Sequence, residues 1–156
     1  MSGIYIHIPF CKKACHYCNF HFSTTFDNYR SQMIDSICKE LELKRSLFKE
    51  VAIRTVYFGG GTPSILENKE IDRIWNALSS NYNINSVEEI TIEANPEDIS
   101  YSKLSYWKSV GINRISLGVQ SFFEEDLKQM NRVHDSAQAL KAIECIKQAE
   151  FDNFSI

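Results

Sequence analysis

No run of apolar residues in this 156-residue chain approaches the roughly 20 that a membrane span requires. The first residues, Met1-Ser2-Gly3-Ile4-Tyr5, carry no basic segment and no apolar stretch of secretion-signal type. Positive charge is also not in excess. Seventeen Lys and Arg face 20 Asp and Glu, for a formal charge of -3. With no basic stripe, the chain lacks the electrostatic footprint of a nucleic-acid binder. There is no low-complexity segment, no Pro/Gly-rich linker and no internal repeat, so one domain over residues 1–156 is expected. The five cysteines are an odd number, which argues against a disulfide framework and for metal or redox chemistry. A cytoplasmic protein is expected, reaching a membrane only through partners. What is present, 44% hydrophobic and 24% charged residues, is the composition of a globular chain with a real core.

Strands and helices alternate along the chain. Gly3 to Ile8 reads as a strand, and Asp27 to Phe48 as a helix with Met33, Ile34, Ile37, Cys38 and Leu41 at helical spacing. Ile53 to Phe58 is a strand, followed by a helix N-capped at Asn68 and carrying Ile71, Ile74, Trp75 and Leu78. Glu88 to Ala94 is a strand. Ser100 caps a helix through Trp107 that stops at Gly111. Asn113 to Val119 is a strand. Asp135 with Gln138 forms a capping box for a helix through Ala149, and Phe151 to Ile156 reads as a fifth strand. This rhythm predicts an α/β fold with a parallel sheet. The chain stops in its fifth strand, so the sequence reads as a fragment with an exposed sheet edge.

The strands alternate in polarity, where strands buried on both faces would be continuously apolar. Ile4, Ile6 and Ile8 share one face, and Tyr5 and His7 the other. Ile90 and Ile92 oppose Thr91 and Glu93; Ile115, Leu117 and Val119 oppose Arg114, Ser116, Gly118 and Gln120. An apolar face against helices and a polar face toward a common lumen is the pattern of a partly closed barrel with a site at its strand ends.

Directly after the first strand, Cys11, Cys15 and Cys18 stand at C-x-x-x-C-x-x-C spacing. Three thiolates in one loop can hold three corners of an iron–sulfur cube and leave one iron open to a ligand. Zinc with His16 or His21 as fourth ligand is a rival reading, and a purely structural triplet is another. Cys38 lies on the apolar face of its helix as a core residue, and Cys145 is an ordinary free thiol. The second strand runs into Gly59-Gly60-Gly61-Thr62-Pro63, which has neither G-x-G-x-x-G nor Walker A spacing. It reads as a tight turn or a close ligand approach. Arg132 and His134 follow a helix end, where solvation, capping or a ligand contact all remain open.

The cysteine loop after a strand, with Tyr17 before the last cysteine, resembles the radical S-adenosylmethionine (SAM) superfamily. That resemblance implies a partial parallel (β/α)6 barrel, truncated near its fifth strand. It implies a [4Fe–4S] cluster on Cys11, Cys15 and Cys18, whose open iron chelates SAM for radical formation. Five ordered motifs are similar to the oxygen-independent coproporphyrinogen III oxidase family. They are Tyr5 to Cys11, Phe58 to Pro63, Glu93-Ala94-Asn95-Pro96, Gly118 to Phe122, and Asn131-Arg132. The resemblance places Tyr5, Gly60 and Glu93 at contacts to the cluster-bound SAM. It places Tyr17, Gly61, Thr62, Gln120 and Arg132 at a second SAM.

Two features resemble the heme-chaperone branch of that family. The oxidase has a further cysteine where this chain has Phe20, and an N-terminal extension where this chain starts on its first strand. The expected function is a radical SAM heme chaperone that binds heme and delivers it to acceptor proteins, with an electron-donor protein as a further partner. The alternatives are the oxidase itself, which decarboxylates coproporphyrinogen III, and a zinc-bound structural module. Whether the chain is an enzyme stays open between them.

Overall fold

The computed structural model describes residues 2–48 and 51–156. Five strands form one parallel sheet: β1 (Gly3–Ile8), β2 (Thr55–Gly60), β3 (Glu89–Ala94), β4 (Arg114–Leu117) and β5 (Phe154–Ser155). Their spatial order, β1-β2-β3-β4-β5, is also their order in sequence. Parallel strands need crossovers of one hand, so an unreversed order sends every crossover to the same side of the sheet. A doubly wound sheet would instead reverse its order at a switch point. This is the winding of a barrel wall, with helices outside and a polar inner face.

The helices are α1 (Arg30–Lys44), α2 (Asn68–Asn81), α3 (Tyr101–Ser109), α4 (Glu124–Gln129) and α5 (Ser136–Gln148). The alternation seen in sequence is real in three dimensions. Ile6 and Ile8 of β1, Val56 and Phe58 of β2, Ile90 and Ile92 of β3, and Ile115 and Leu117 of β4 are all buried in the core. They pack against Ile34 and Leu41 of α1, Ile71, Ile74 and Leu78 of α2, and Leu104 and Trp107 of α3. Burial of that apolar set is the main stabilising term, at about 25 cal/mol per Å².

The boundaries differ from the sequence reading in instructive ways. The first helix begins at Arg30, and its last turn, Arg45–Phe48, tightens to a 3-10 helix. The cap of α2 is Glu67, whose side chain pairs reciprocally with Glu70; Asn68 is the first helical residue. Glu70 serves two elements. It accepts from Arg30 Nε at 2.7 Å and Arg30 Nη2 at 2.5 Å, so one bidentate pair ties α1 to α2. Ser100 and the Asp135–Gln138 capping box sit where the sequence places them. The second strand starts two residues later than Ile53 and runs through Gly60 into the glycine turn. The fifth strand pairs over Phe154 and Ser155 alone, although Phe151 is buried.

No helix among the described residues is long and apolar enough to cross a membrane. Phe58 is 1% exposed at the centre of the apolar layer. Phe58→Ala is expected to destabilise the fold by about 3–5 kcal/mol, read as the urea midpoint with unchanged slope. A loss below about 1 kcal/mol would mean the layer collapses around the cavity and does not depend on that ring.

Candidate functional site

The strands deliver their polar faces to a cavity at their C-terminal ends. It is lined by Cys11, Cys15, Tyr17 and Cys18 from the loop after β1, and by Gly60, Gly61 and Thr62 from the end of β2. Glu93, Asn95 and Glu97 come from the end of β3 and the 3-10 turn after it. Ser116, Gly118, Gln120 and Arg132 come from β4 and the segment beyond.

The glycine turn is shaped by two close approaches. Gly60 has φ +115°, a left-handed conformation, and a Cβ there would lie 2.6 Å from His7 Nδ1. A Cβ on Gly61 would lie 2.6 Å from the Phe10 carbonyl oxygen. Backbone thus meets backbone directly: Gly61 N donates to Ile8 O at 2.8 Å, and Thr62 N to Phe10 O at 2.7 Å. The start of the cysteine loop is bound to the glycine turn through these two bonds. Ser23 closes the far end of the loop, accepting from Cys11 N at 3.0 Å and donating to Pro9 O at 2.9 Å.

Glu93 holds the other side of the turn. Its carboxylate accepts from Gly60 N at 3.0 Å and from Tyr57 Oη at 2.8 Å. Burial, then the Glu93 hydrogen bond and charge, push the Tyr57 hydroxyl up to about 12. Tyr57 therefore keeps its proton and donates it. Nothing in a motif marked Tyr57. Its signal is the strand alternation, since it pairs in register with Tyr5 on the same face. Tyr5 itself lies outside the cavity lining. It is 57% exposed, stacks on Tyr57 with ring centroids 5.9 Å apart, and contacts His7 Nδ1 through its hydroxyl at 3.1 Å.

Arg132 is the hub of the opposite wall. Its Nη2 donates to Gly118 O at 2.6 Å and to Asn95 Oδ1 at 2.7 Å. Its Nη1 reaches Tyr17 Oη at 3.3 Å and Cys15 Sγ at 3.4 Å. Its Nε is buried with no partner in the protein. Asn95 also donates to Thr62 Oγ1 at 3.4 Å, and that hydroxyl contacts Cys11 Sγ at 3.4 Å. Burial pushes the Cys11 thiol up, against the Thr62 hydrogen bond that lowers it. Gln120 stands in the left-handed region, with φ 71°.

His134 is 3% exposed, which removes the solvated reading of that helix end. Its Nε2 contacts Val119 O at 3.0 Å, so that nitrogen carries a proton. Its Nδ1 lies 3.3 Å from Glu97 Oε2, and both atoms are buried. Burial would raise the Glu97 carboxyl, but the His134 contact and the nearby Arg132 charge hold it below the ordinary carboxylate range. Asp98 is a further residue that no motif marked. Its buried carboxylate pairs with Lys12 of the cysteine loop and accepts from Ser64 Oγ at 2.6 Å.

The chemistry of the donor set decides what could sit here. Three soft thiols face one cavity, yet among the described residues no three His, Cys, Asp or Glu side chains gather closely enough for a single metal ion. His16 Nδ1 is engaged with Gln129 O at 2.8 Å. Three soft thiols lining one cavity are the donor type that iron–sulfur clusters take. The buried, unpartnered Arg132 Nε is a donor for a ligand in the same cavity. Cys38 and Cys145 lie on helices α1 and α5, outside the lining of this cavity.

The Radical SAM superfamily model matches residues 5–156. A heme chaperone, HemW, from Buchnera aphidicola subsp. Schizaphis graminum is 39% identical over 156 residues, covering 99% of this chain and 41% of that protein. The oxygen-independent coproporphyrinogen III oxidase of Salmonella typhimurium is 34% identical over 134 residues, covering 85% of this chain and 29% of that protein. The solved structure of coproporphyrinogen III oxidase (HemN) from Escherichia coli superposes with a TM-score of 0.89 at 30% identity, covering 97% of this chain and 35% of that one. The chain thus spans about two fifths of the length of that heme chaperone.

The Tyr57–Glu93 bond is testable by itself. A tyrosine absorbance titration is expected to show one group ionising near pH 12. Because the folded value is raised, stability is fully present below the ordinary tyrosine range of about 10 and falls as pH rises toward the folded value. Glu93→Gln should lower that titration only part of the way toward the ordinary tyrosine range, since burial, the larger cause, remains. An unchanged titration would mean the carboxylate is not what holds the phenol proton.

Proposed function

The chain belongs to the radical SAM superfamily, and on that premise we propose that it is core barrel of a heme chaperone, with residues 1–156 forming one incomplete radical SAM domain. The observation that carries the radical SAM part is the single cavity at the strand ends. It gathers Cys11, Cys15 and Cys18 with the glycine turn, Glu93 and Arg132. Superfamily membership implies an iron–sulfur cluster and SAM, and this set of residues fits both.

In this reading Cys11, Cys15 and Cys18 hold three irons of a [4Fe–4S] cluster. When bound, the cluster supplies an open iron for SAM and a path for one electron. The protein's own groups do the rest. Gly60 and Gly61 let this wall of the cavity close on β1 and the cysteine loop, since a Cβ at either would strike His7 or the Phe10 backbone. Glu93 is oriented by Gly60 N–H and the Tyr57 hydroxyl, so its remaining lone pairs can accept from ligand hydroxyls. Arg132 offers Nε to an anionic group while Asn95 and Gly118 fix its plane. Tyr17, Thr62 and Gln120 complete the lining, while Tyr5 acts from outside it by stacking on Tyr57, which orients Glu93. Lumen walls of this kind position a cofactor and exclude water from it.

The heme-carrier assignment rests on two supports. A relative named a heme chaperone matches at higher identity than one named an oxidase. Phe20, 72% exposed beside the cavity, occupies the place of the oxidase's further cysteine. Heme as cargo, an electron-donor protein, a heme-acceptor protein and a cytoplasmic setting belong to this proposal. The second reading is the oxidase itself. It is favoured by one observation: Tyr17, Gly61, Thr62, Gln120 and Arg132, the positions that resemble a second SAM site, all line the same cavity.

Anaerobic reconstitution of the full-length protein is expected to load about four irons per chain. The EPR spectrum of the reduced protein should change on adding SAM. Cys15→Ala should abolish cluster assembly; iron content equal to the parent would remove Cys15 from the ligand set. Heme retention without release of carbon dioxide from coproporphyrinogen III supports the chaperone, and turnover to protoporphyrinogen IX supports the oxidase. Tightly held zinc with no cluster would overturn both.

A further inference from the structure

Helix α4 ends in a way that leaves work for another segment. Arg132 N donates to Leu127 O at 2.9 Å and Asn131 N to Lys128 O at 3.0 Å, while Asn131 sits at φ 61°. This is a Schellman-type helix end, with asparagine in the left-handed position. It satisfies the carbonyls of Leu127 and Lys128 but not those of Gln129 and Met130, which a helix end leaves orphaned.

The cysteine loop supplies the missing donors. His16 N donates to Met130 O at 3.1 Å, and His16 Nδ1 donates to Gln129 O at 2.8 Å. In return, Asn131 Nδ2 donates to Ala14 O at 2.7 Å. Three hydrogen bonds therefore join residues 14 and 16, which flank Cys15, to the end of a helix more than a hundred residues away. Cys15 and Cys18 are linked locally, since Cys18 N donates to Cys15 O at 3.2 Å. Position of one thiol thus carries to the other.

We propose that His16 and Asn131 are positioning residues that latch the cysteine loop onto the C-terminal end of α4, setting the places of Cys15 and Cys18. The inference rests on reading those cysteines as cluster ligands, but the latch itself is made by protein groups alone. His16 is thereby a loop anchor through Nδ1, and Asn131 combines two roles that few residues can. It tolerates the left-handed backbone, and its amide reaches across to Ala14.

The test uses the full-length apo protein and a thiol reagent, an aromatic disulfide, with modification read at each cysteine by peptide mass spectrometry. Asn131→Gly keeps the left-handed backbone and deletes only the amide. His16→Ala removes the bond to Gln129. Each is expected to speed modification of Cys15 and Cys18 about fivefold, the shift that losing one ordinary hydrogen bond gives. Cys38 and Cys145, far from the latch, should react as in the parent, and thermal unfolding should be nearly unchanged. His16→Gln, whose amide can donate to Gln129 O, should restore most of the protection. After reconstitution, the two weakened variants should also lose iron to a chelator about fivefold faster. Parent-like rates at Cys15 and Cys18 in both variants would overturn the latch. So would equal acceleration at all five cysteines, which signals general loosening. If the parent itself holds no cluster, the cofactor reading fails while the thiol rates still decide the latch.

Discussion

The close contact between Gly61 and Phe10 is the constraint on which the site depends. A side chain at Gly61 would collide with the Phe10 carbonyl. Without one, two backbone hydrogen bonds lock the exit of β1 to the exit of β2. That lock determines where the cysteine loop starts. It also leaves Gly60 N–H pointing at Glu93 and Thr62 Oγ1 at Cys11. Strand register, glycine turn and thiol position are therefore one arrangement and not three independent features.

Around this backbone lock the charges are distributed so that each serves two neighbours. Arg132 spans the β3 and β4 exits through Asn95 and Gly118, and faces the cysteine loop through Tyr17 and Cys15. Asp98 joins Lys12 of the same loop to Ser64 after the glycine turn. Glu97 lies against His134 with the Arg132 charge nearby. Buried charges are costly alone, so pairing each with several donors is what makes a polar lumen compatible with a stable barrel wall. The consequence is a loop held from three sides: the glycine turn, the Asp98 turn and the end of α4. Its outer part around Phe20 stands exposed.

Much of this was legible residue by residue. The period-2 alternation in β1, β3 and β4 placed Ile6, Ile92 and Ile115 inside and Glu93 toward a lumen, because strand side chains must alternate. The capping residues Ser100 and Asp135 were legible because a cap is a local bond. The α2 start was read one residue late, since Glu67 is an unusual cap that works only through its reciprocal bond with Glu70. The cysteine spacing and the glycine run stood out for their chemistry. Tyr57 and Asp98 did not, because each is an ordinary residue type whose role depends on a distant partner; Asn95 and His134 were noticed, but not their partners. His134 shows the reason most clearly. A histidine after a helix end leaves solvation, capping and a ligand contact all open, and only the tertiary structure buries it beside Glu97.

By itself, the sequence determined the order of strands and helices, the face each strand turns inward, and the three thiols available to a soft metal. Those are local properties, written in periodicity and spacing of a few residues. The tertiary structure decided which groups meet. It brought residues 11–18, 57–62, 93–98 and 129–134 to one end of the sheet, and it set Tyr5 against Tyr57 outside the cavity lining. Such meetings depend on sheet register and on where each crossover returns. Both come from summed packing over the whole apolar layer, which no single segment encodes.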